Sequence, residues 1–242
     1  MNSIRNSYWK IALGFYAGWI PLFYFTGFKA ARLPGRDFSG WMDRRIPFAP
    51  QWVWIYFLCY FFPCVPVLVT TDWHALNVLL LSIALTSLSG FAIHLHLPST
   101  FPRPKLGDSC SERVLAYIHK RDFPPGAMKF PSLHVAIAWL IWSCLKHQDL
   151  DKSLRTSLLA LTVAIVGSTV LTKQHGFWDL VGGTLLAIVT RKFIKTHYFR
   201  LISPTDDALL SLKKSATTLL PLYTVLLLIV LAGMLARPKV SA

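Results

Sequence analysis

Charged residues are spaced so widely along this chain that the gaps between them outline its architecture. Ile11 to Gly27 is uncharged, as are Ile46 to Thr71 and Trp73 to Pro102. The series continues with Phe130 to Leu145, Thr156 to Thr172, Leu180 to Thr190 and Ser215 to Ala236. A helix that crosses a bilayer takes about 20 mostly apolar residues, with a range of about 17–25. Five runs meet that length alone. Those at 130–145 and 180–190 need a polar residue admitted at one end, which places a polar site near the membrane surface at each. The pattern therefore predicts an all-α fold, a polytopic membrane helical bundle with six core transmembrane helices and a seventh near the C-terminus. Residues 1–242 read as a single integral-membrane domain without internal repeats. The first span is long and aromatic and is followed by no small-residue cleavage pattern, so it reads as a span rather than a cleaved signal. Tyr8, Trp9, Trp19, Trp41, Trp52, Trp54 and Trp73 sit where bilayer interfaces are expected.

Composition sharpens this picture. Of 242 residues, 54% are hydrophobic and 15% charged, and the mean hydropathy is +0.47. An average soluble domain is about 25% charged, so a disordered chain is excluded and a soluble domain disfavoured. The net charge is +14, from 25 Lys and Arg against 11 Asp and Glu. Such an excess suggests nucleic acid in a soluble protein. Here the cations are split among at least three loops, which argues for no nucleic-acid partner. Orientation is not settled by them. With the N-terminus inside, 11 of the 25 cations fall inside, so the positive-inside rule weakly favours the inverse topology. The dense group from Arg191 to Arg200 nevertheless reads as a cytoplasmic anchor to anionic headgroups. The four cysteines show no CxxC spacing and read as buried thiols rather than a zinc or disulfide framework.

Two loops carry candidate chemistry, and both flank short spans. The first runs from Pro98 to Pro131. Within it, Ser109-Cys110-Ser111-Glu112 forms a capping box. Val114, Leu115 and Ile118 follow at helical spacing, and Pro124-Pro125-Gly126 ends the segment. This predicts an amphipathic helix lying over the membrane surface. At the loop's start, prolines fix the backbone on both sides of Arg103, whose planar fork suits a phosphate. At its end, Phe130-Pro131-Ser132-Leu133-His134 opens an apolar helix. Ser132 and the free amides of that N-terminus make a candidate anion site, with His134 on the first turn. The second loop, Thr172 to Asp179, places His175 and Asp179 four residues apart, on one helical face. A carboxylate there can orient one imidazole nitrogen and leave the other basic. Each feature has a plainer reading: an interfacial arginine, a structural histidine, a polar pair capping a helix.

Together, Arg103-Pro104, Pro131-Ser132-Leu133-His134 and His175-xxx-Asp179 resemble the three signatures of the type 2 phosphatidic acid phosphatase superfamily. The resemblance covers a catalytic core of about residues 88–187. Ser168-Thr169 to Lys173-Gln174-His175 looks most like the branch of inositol phosphorylceramide synthases and bacterial relatives. Two positions depart from the family. His96 stands where a lysine is usual, and Thr169 where an arginine is usual, with Lys173 one turn nearer the histidine. The resemblance implies that His175 attacks phosphorus to form a phosphohistidine, that Asp179 orients it, and that His134 protonates the leaving oxygen. It implies phosphate contacts from Arg103, Lys173, Ser132 and His96, with no metal and no cofactor. The expected activity is hydrolysis of a lipid phosphate or diphosphate at the membrane, on an anionic lipid substrate. Transfer of a phosphate-bearing headgroup between lipids is the alternative within enzymes, and a transporter or structural membrane protein the alternative outside them. The family's usual catalytic side is periplasmic or lumenal, which implies a bacterial inner membrane or a eukaryotic endomembrane.

Overall fold

A computed structural model describes residues 2–123, 126–203 and 205–236. Ten α-helices and one two-stranded sheet follow in order: α1 (Asn2–Ala30), β1 (Arg36–Asp37), α2 (Trp41–Arg45), α3 (Val53–Phe57), α4 (Val65–Val69), α5 (Trp73–His96), β2 (Ser99–Thr100), α6 (Cys110–Arg121), α7 (Leu133–Leu145), α8 (Lys152–Leu171), α9 (Phe177–Leu201) and α10 (Ala208–Leu235). This is the all-α polytopic bundle that the uncharged runs predict. Among the described residues, five stretches are long and apolar enough to cross a membrane: Ile4–Ala30, Pro50–Val69, Trp73–His96, Lys152–Leu171 and Ala208–Leu235. The two short runs fall in α7, which is apolar but has only 13 residues, and in α9, which extends beyond its uncharged stretch into the basic segment.

The bundle is built around α5. It packs against α7, α9, α10 and α1, and 67% of its most apolar stretch is buried, against 17% for α1 and α10. The outer helices turn large apolar side chains outward, among them Leu13, Phe25, Leu185, Val189 and Leu228. In water such a surface would aggregate; here it matches lipid. The second run is not one straight helix. Pro63 and Pro66 each remove a backbone donor, and α3 and α4 are joined through tight single turns at Leu58–Tyr60 and Phe62–Cys64.

The amphipathic surface helix is α6. Ser109 Oγ accepts from Glu112 N while Glu112 reaches back to Ser109 N, which closes the predicted capping box. Leu115 and Ile118 are buried against Val53 and Tyr56. The helix ends at Arg121; Pro124 and Pro125 lie outside the described residues. Two of the aromatics expected at bilayer interfaces pack against other side chains. Trp19 stacks on Phe23 at 5.1 Å and packs against Phe91 inside the bundle. Tyr8 is fully buried, stacks on Trp73, and donates to Asn77 Oδ1 at 2.6 Å. Cys144 is buried, Cys59 and Cys64 are half-buried, and Cys110 is exposed; all four are free thiols.

Candidate active site

The site lies where the start of α7, the start of α9 and the end of α5 converge. Glycines permit this convergence. A Cβ at Gly183 would collide with the backbone carbonyl of Ser132, and one at Gly182 would lie 2.5 Å from the Phe130 ring. Ser132 N donates to Asp179 O at 3.0 Å, which locks the two helix starts together. Ser132 Oγ accepts from Val135 N and so caps α7.

His175 precedes α9 rather than lying within it. Gly176 caps the helix, and Asp179, in its first turn, reaches back: its Oδ2 accepts from Gly176 N at 2.8 Å and stands 3.5 Å from His175 Nδ1. The pair therefore meets through a helix cap, not along a helical face. Gly176 itself is confined by the Phe101 ring and by Asp43, whose Oδ1 accepts from Phe177 N at 2.7 Å. At the end of α8, Thr169 O accepts from both Gln174 N and His175 N, which turns the chain toward the site.

The orientation of the two histidines follows from their partners. His175 Nδ1 lies 3.1 Å from Lys129 O. A carbonyl only accepts, so Nδ1 carries the proton and Nε2 of the neutral ring bears the lone pair. That Nε2 is 3.3 Å from His134 Nδ1, and His134 Nε2 is 3.4 Å from the Tyr56 hydroxyl. Ser99 Oγ in β2 accepts from Lys129 N and Phe130 N, so β2 fixes the carbonyl that orients His175.

Both histidines open on a cavity of about 560 Å³. Aromatics of α1 and α3, including Tyr16, Trp19, Phe23 and Tyr56, line its apolar wall. Lys129, Asp122, Gln174 and His94 form its polar end with the two histidines. Lys129 is 5% exposed, and its Nζ donates to Asp122 Oδ2 at 2.8 Å. Burial pushes the Asp122 carboxyl up, but Lys129 and Arg103 outweigh it and hold the group below its usual range. His119 nearby is pushed down to about 4, first by burial and then by the charges of Arg103 and Lys129. His94 is 1% exposed, and its Nδ1 has no hydrogen-bond partner among the described residues.

The expected phosphate contacts fall elsewhere. Arg103 does not line the cavity; its guanidinium donates to His119 O at 2.6 Å, Asp122 Oδ2 at 3.1 Å and Phe123 O at 3.5 Å. Lys173 adopts the left-handed backbone conformation, with φ 56°, and its ammonium donates to Asp43 O and Ile46 O at 2.7 and 2.6 Å. It serves the end of α2, not the cavity. Ser132 is fully buried as a helix cap. His96 is exposed toward α10, 3.4 Å from Ile229 O, because two residues along α5 turn it well away from His94. The structure thus brings His134, His175 and Asp179 together and leaves the four phosphate-binding candidates outside the cavity.

Sequence reasoning missed Lys129, His94, Asp122 and Tyr56. Lys129 had a usable signal, since it directly precedes Phe130-Pro131-Ser132. His94 lies two residues before the position singled out. Among the described residues, no three His, Cys, Asp or Glu side chains are grouped to hold a metal ion.

No curated protein and no solved structure matches the chain. A family model described as the PAP2 superfamily matches residues 38–193, a stretch that contains every residue of this polar end. With two paired histidines at the polar end of an apolar cavity and more than half its length matched, the chain belongs to the PAP2 superfamily.

Proposed function

We propose that this protein is a membrane lipid phosphatase that hydrolyses a lipid phosphate or diphosphate through a phosphohistidine. Membership of the PAP2 superfamily supports phosphatase- or phosphotransferase-type chemistry on lipid phosphates in general. The observation that carries the finer reading is the 3.3 Å pairing of His175 Nε2 with His134 Nδ1 beside buried Lys129. A nucleophile with a fixed tautomer and a proton carrier then stand side by side on the cavity wall, in direct hydrogen-bond contact that an entering phosphoryl group would replace.

In the first step, His175 Nε2 attacks phosphorus and the P–O bond to the lipid breaks. Protonated His134 gives its Nδ1 proton to the leaving oxygen. Asp179, together with Lys129 O, holds the Nδ1–H of His175 and balances the positive charge that develops on the ring. In the second step, neutral His134 takes a proton from water as that water attacks phosphorus. The P–N bond breaks, inorganic phosphate leaves and both imidazoles are restored. Lys129 Nζ is the donor placed for the phosphoryl oxygens, and pre-placed donors often supply the largest catalytic contribution. Arg103 acts one step removed: it braces Asp122, which braces Lys129. The aromatic wall takes the apolar part of an anionic lipid, and the surrounding membrane is the protein's solvent.

The test is release of inorganic phosphate from phosphatidic acid or a lipid diphosphate by the purified chain in detergent. Phosphate that appears only as a product ester, and only when an alcohol acceptor is added, would sink hydrolysis in favour of transfer. The reading also places the cavity on the periplasmic or lumenal face. Exposed Cys110 on α6 reports this: a membrane-impermeant maleimide should label it from that side alone.

A further inference from the structure

A second cavity, of about 260 Å³, opens at the other end of the bundle. It lies between the start of α5, the end of α7 and the basic stretch of α9. From Asp72 to His94 the rise of α5 amounts to roughly 33 Å, about one hydrocarbon thickness, so the two cavities belong to opposite leaflets.

Its wall is built for an anion. Arg191, Lys195 and His147 line it. One guanidinium nitrogen of Arg191 donates to Ser143 O and lies against His147 Nε2, both at 3.3 Å. Lys195 has no ion pair among the described residues. The acid in the wall, Asp72, is committed elsewhere: its Oδ1 accepts from Ala75 N and caps α5. The field is positive enough to be felt locally. Burial, then the charges of Lys146, Arg191 and Lys195, hold the His147 imidazole below its usual range, against the opposing pull of Asp72.

A second, independent observation points to a ligand. Ser82 lines this cavity, is fully buried, and its hydroxyl makes no hydrogen bond among the described residues. A serine inside a helix can satisfy itself on the preceding turn, as Ser143 and Ser168 do here; Ser82 does not, nor do Ser87 and Ser215, but of these three only Ser82 lines the cavity. A buried hydroxyl without a partner is costly unless something fills the space beside it. The rest of the wall is apolar, with Val78, Leu79 and Phe199. Phe199 and Phe193 also stand half-exposed on the outer face of α9, where a chain leaving the cavity would lie.

We propose that this cavity is a second anion site, which takes the phosphate-bearing headgroup of a net-anionic lipid from the leaflet opposite the paired histidines. Arg191 and Lys195 bind the phosphate, Ser82 donates to one of its oxygens, and the apolar wall holds the first carbons of the lipid. The inference does not depend on the reaction proposed above.

The test uses the full chain purified in detergent, with thermal unfolding followed as lipid is added. Phosphatidylglycerol should raise the midpoint saturably, and phosphatidylcholine or inorganic phosphate at equal concentration should not. The Arg191→Gln/Lys195→Gln protein should need about 10-fold more phosphatidylglycerol for the same rise, since two charge-assisted contacts are gone. Ser82→Ala should fold at least as well as the parent without lipid, yet need about 3-fold more of it. Lys192→Gln/Lys213→Gln removes the same charge outside the cavity and should respond like the parent, as should Lys129→Ala. Equal weakening in the Lys192/Lys213 control reduces the effect to general surface attraction. Loss of the response in Lys129→Ala moves the lipid to the catalytic cavity. An equal rise with inorganic phosphate or phosphatidylcholine removes the case for an anionic lipid headgroup. Any of these three results overturns the proposal.

Discussion

The two ends of this bundle handle polar groups in opposite ways. At the end that holds the paired histidines, each group leans on the next. Tyr56 meets His134, His134 meets His175, and His175 is held by Lys129 O and Asp179. Lys129 and Arg103 converge on Asp122. At the other end, Tyr8, Asn77, His74 and Tyr198 form a structural network, while Arg191 and Lys195 line a cavity in which neither forms an ion pair among the described residues. Buried charge is costly unless paired, so the first arrangement fixes geometry and the second awaits a counter-charge from outside. Orientation of reacting atoms is what catalysis needs, and an unpaired cation is what binding needs.

That contrast breaks most severely at the histidines. His175→Ala and His134→Ala should each lose at least about 10²-fold in turnover, the usual scale for acid–base groups, whereas Arg191→Gln should leave turnover unchanged. A His175→Ala protein with full turnover would return the molecule to the transporter or structural class. Next come the two lysines of the histidine end, Lys129 on the cavity wall and Lys173 at the end of α2. Lys129→Gln should cost on the order of 10²-fold in kcat per folded molecule, and should lower the melting temperature as well, because Asp122 loses a buried partner. Lys173→Gln should lower the melting temperature, because its two carbonyl contacts are lost, with turnover per folded molecule within about 3-fold of the parent. The reverse pattern would restore Lys173 as the phosphate-binding cation.

Gly183→Ala tests the convergence itself. Its new methyl group meets the Ser132 carbonyl, so stability should fall by about 1–3 kcal/mol and the His134–His175 distance should grow. Denaturant titration and turnover should therefore decline together. The smallest effect is on acid stability. The folded-state pKa of His119 lies near 4, below its unfolded value, so the unfolded chain binds the extra proton first. Stability should fall as pH drops from about 6.5 toward 4. Asp122 adds a further loss at lower pH, since its carboxyl is held below its usual range and must be protonated. His119→Gln should flatten the upper part of that curve, and an unchanged slope would remove His119 as its cause.

How much of this was legible in the sequence depended on the kind of interaction involved. Runs without charge located every long helix, because exclusion of charge from lipid acts on each residue separately. The capping box at Ser109 and Glu112 was equally local, and α6 begins where it predicts. His175 and Asp179 were paired from spacing, yet the pairing runs through the Gly176 cap rather than along a helix. Phosphate contacts were the least legible. Arg103 and Lys173 are cations in suggestive places, but nothing local reveals that Asp122 and the carbonyls of Asp43 and Ile46 occupy them.

By itself, then, the sequence determined a membrane bundle, its amphipathic surface helix and the motifs that resemble the family. Those follow from hydropathy, capping and short spacings, which any stretch of chain carries with it. Only the tertiary structure decided which cations line the cavity. Lys129 rather than Arg103 reaches the cavity, and His94 rather than His96, because the glycine-permitted approach of α7 to α9 and the packing of both on α5 assign each long side chain its nearest acceptor.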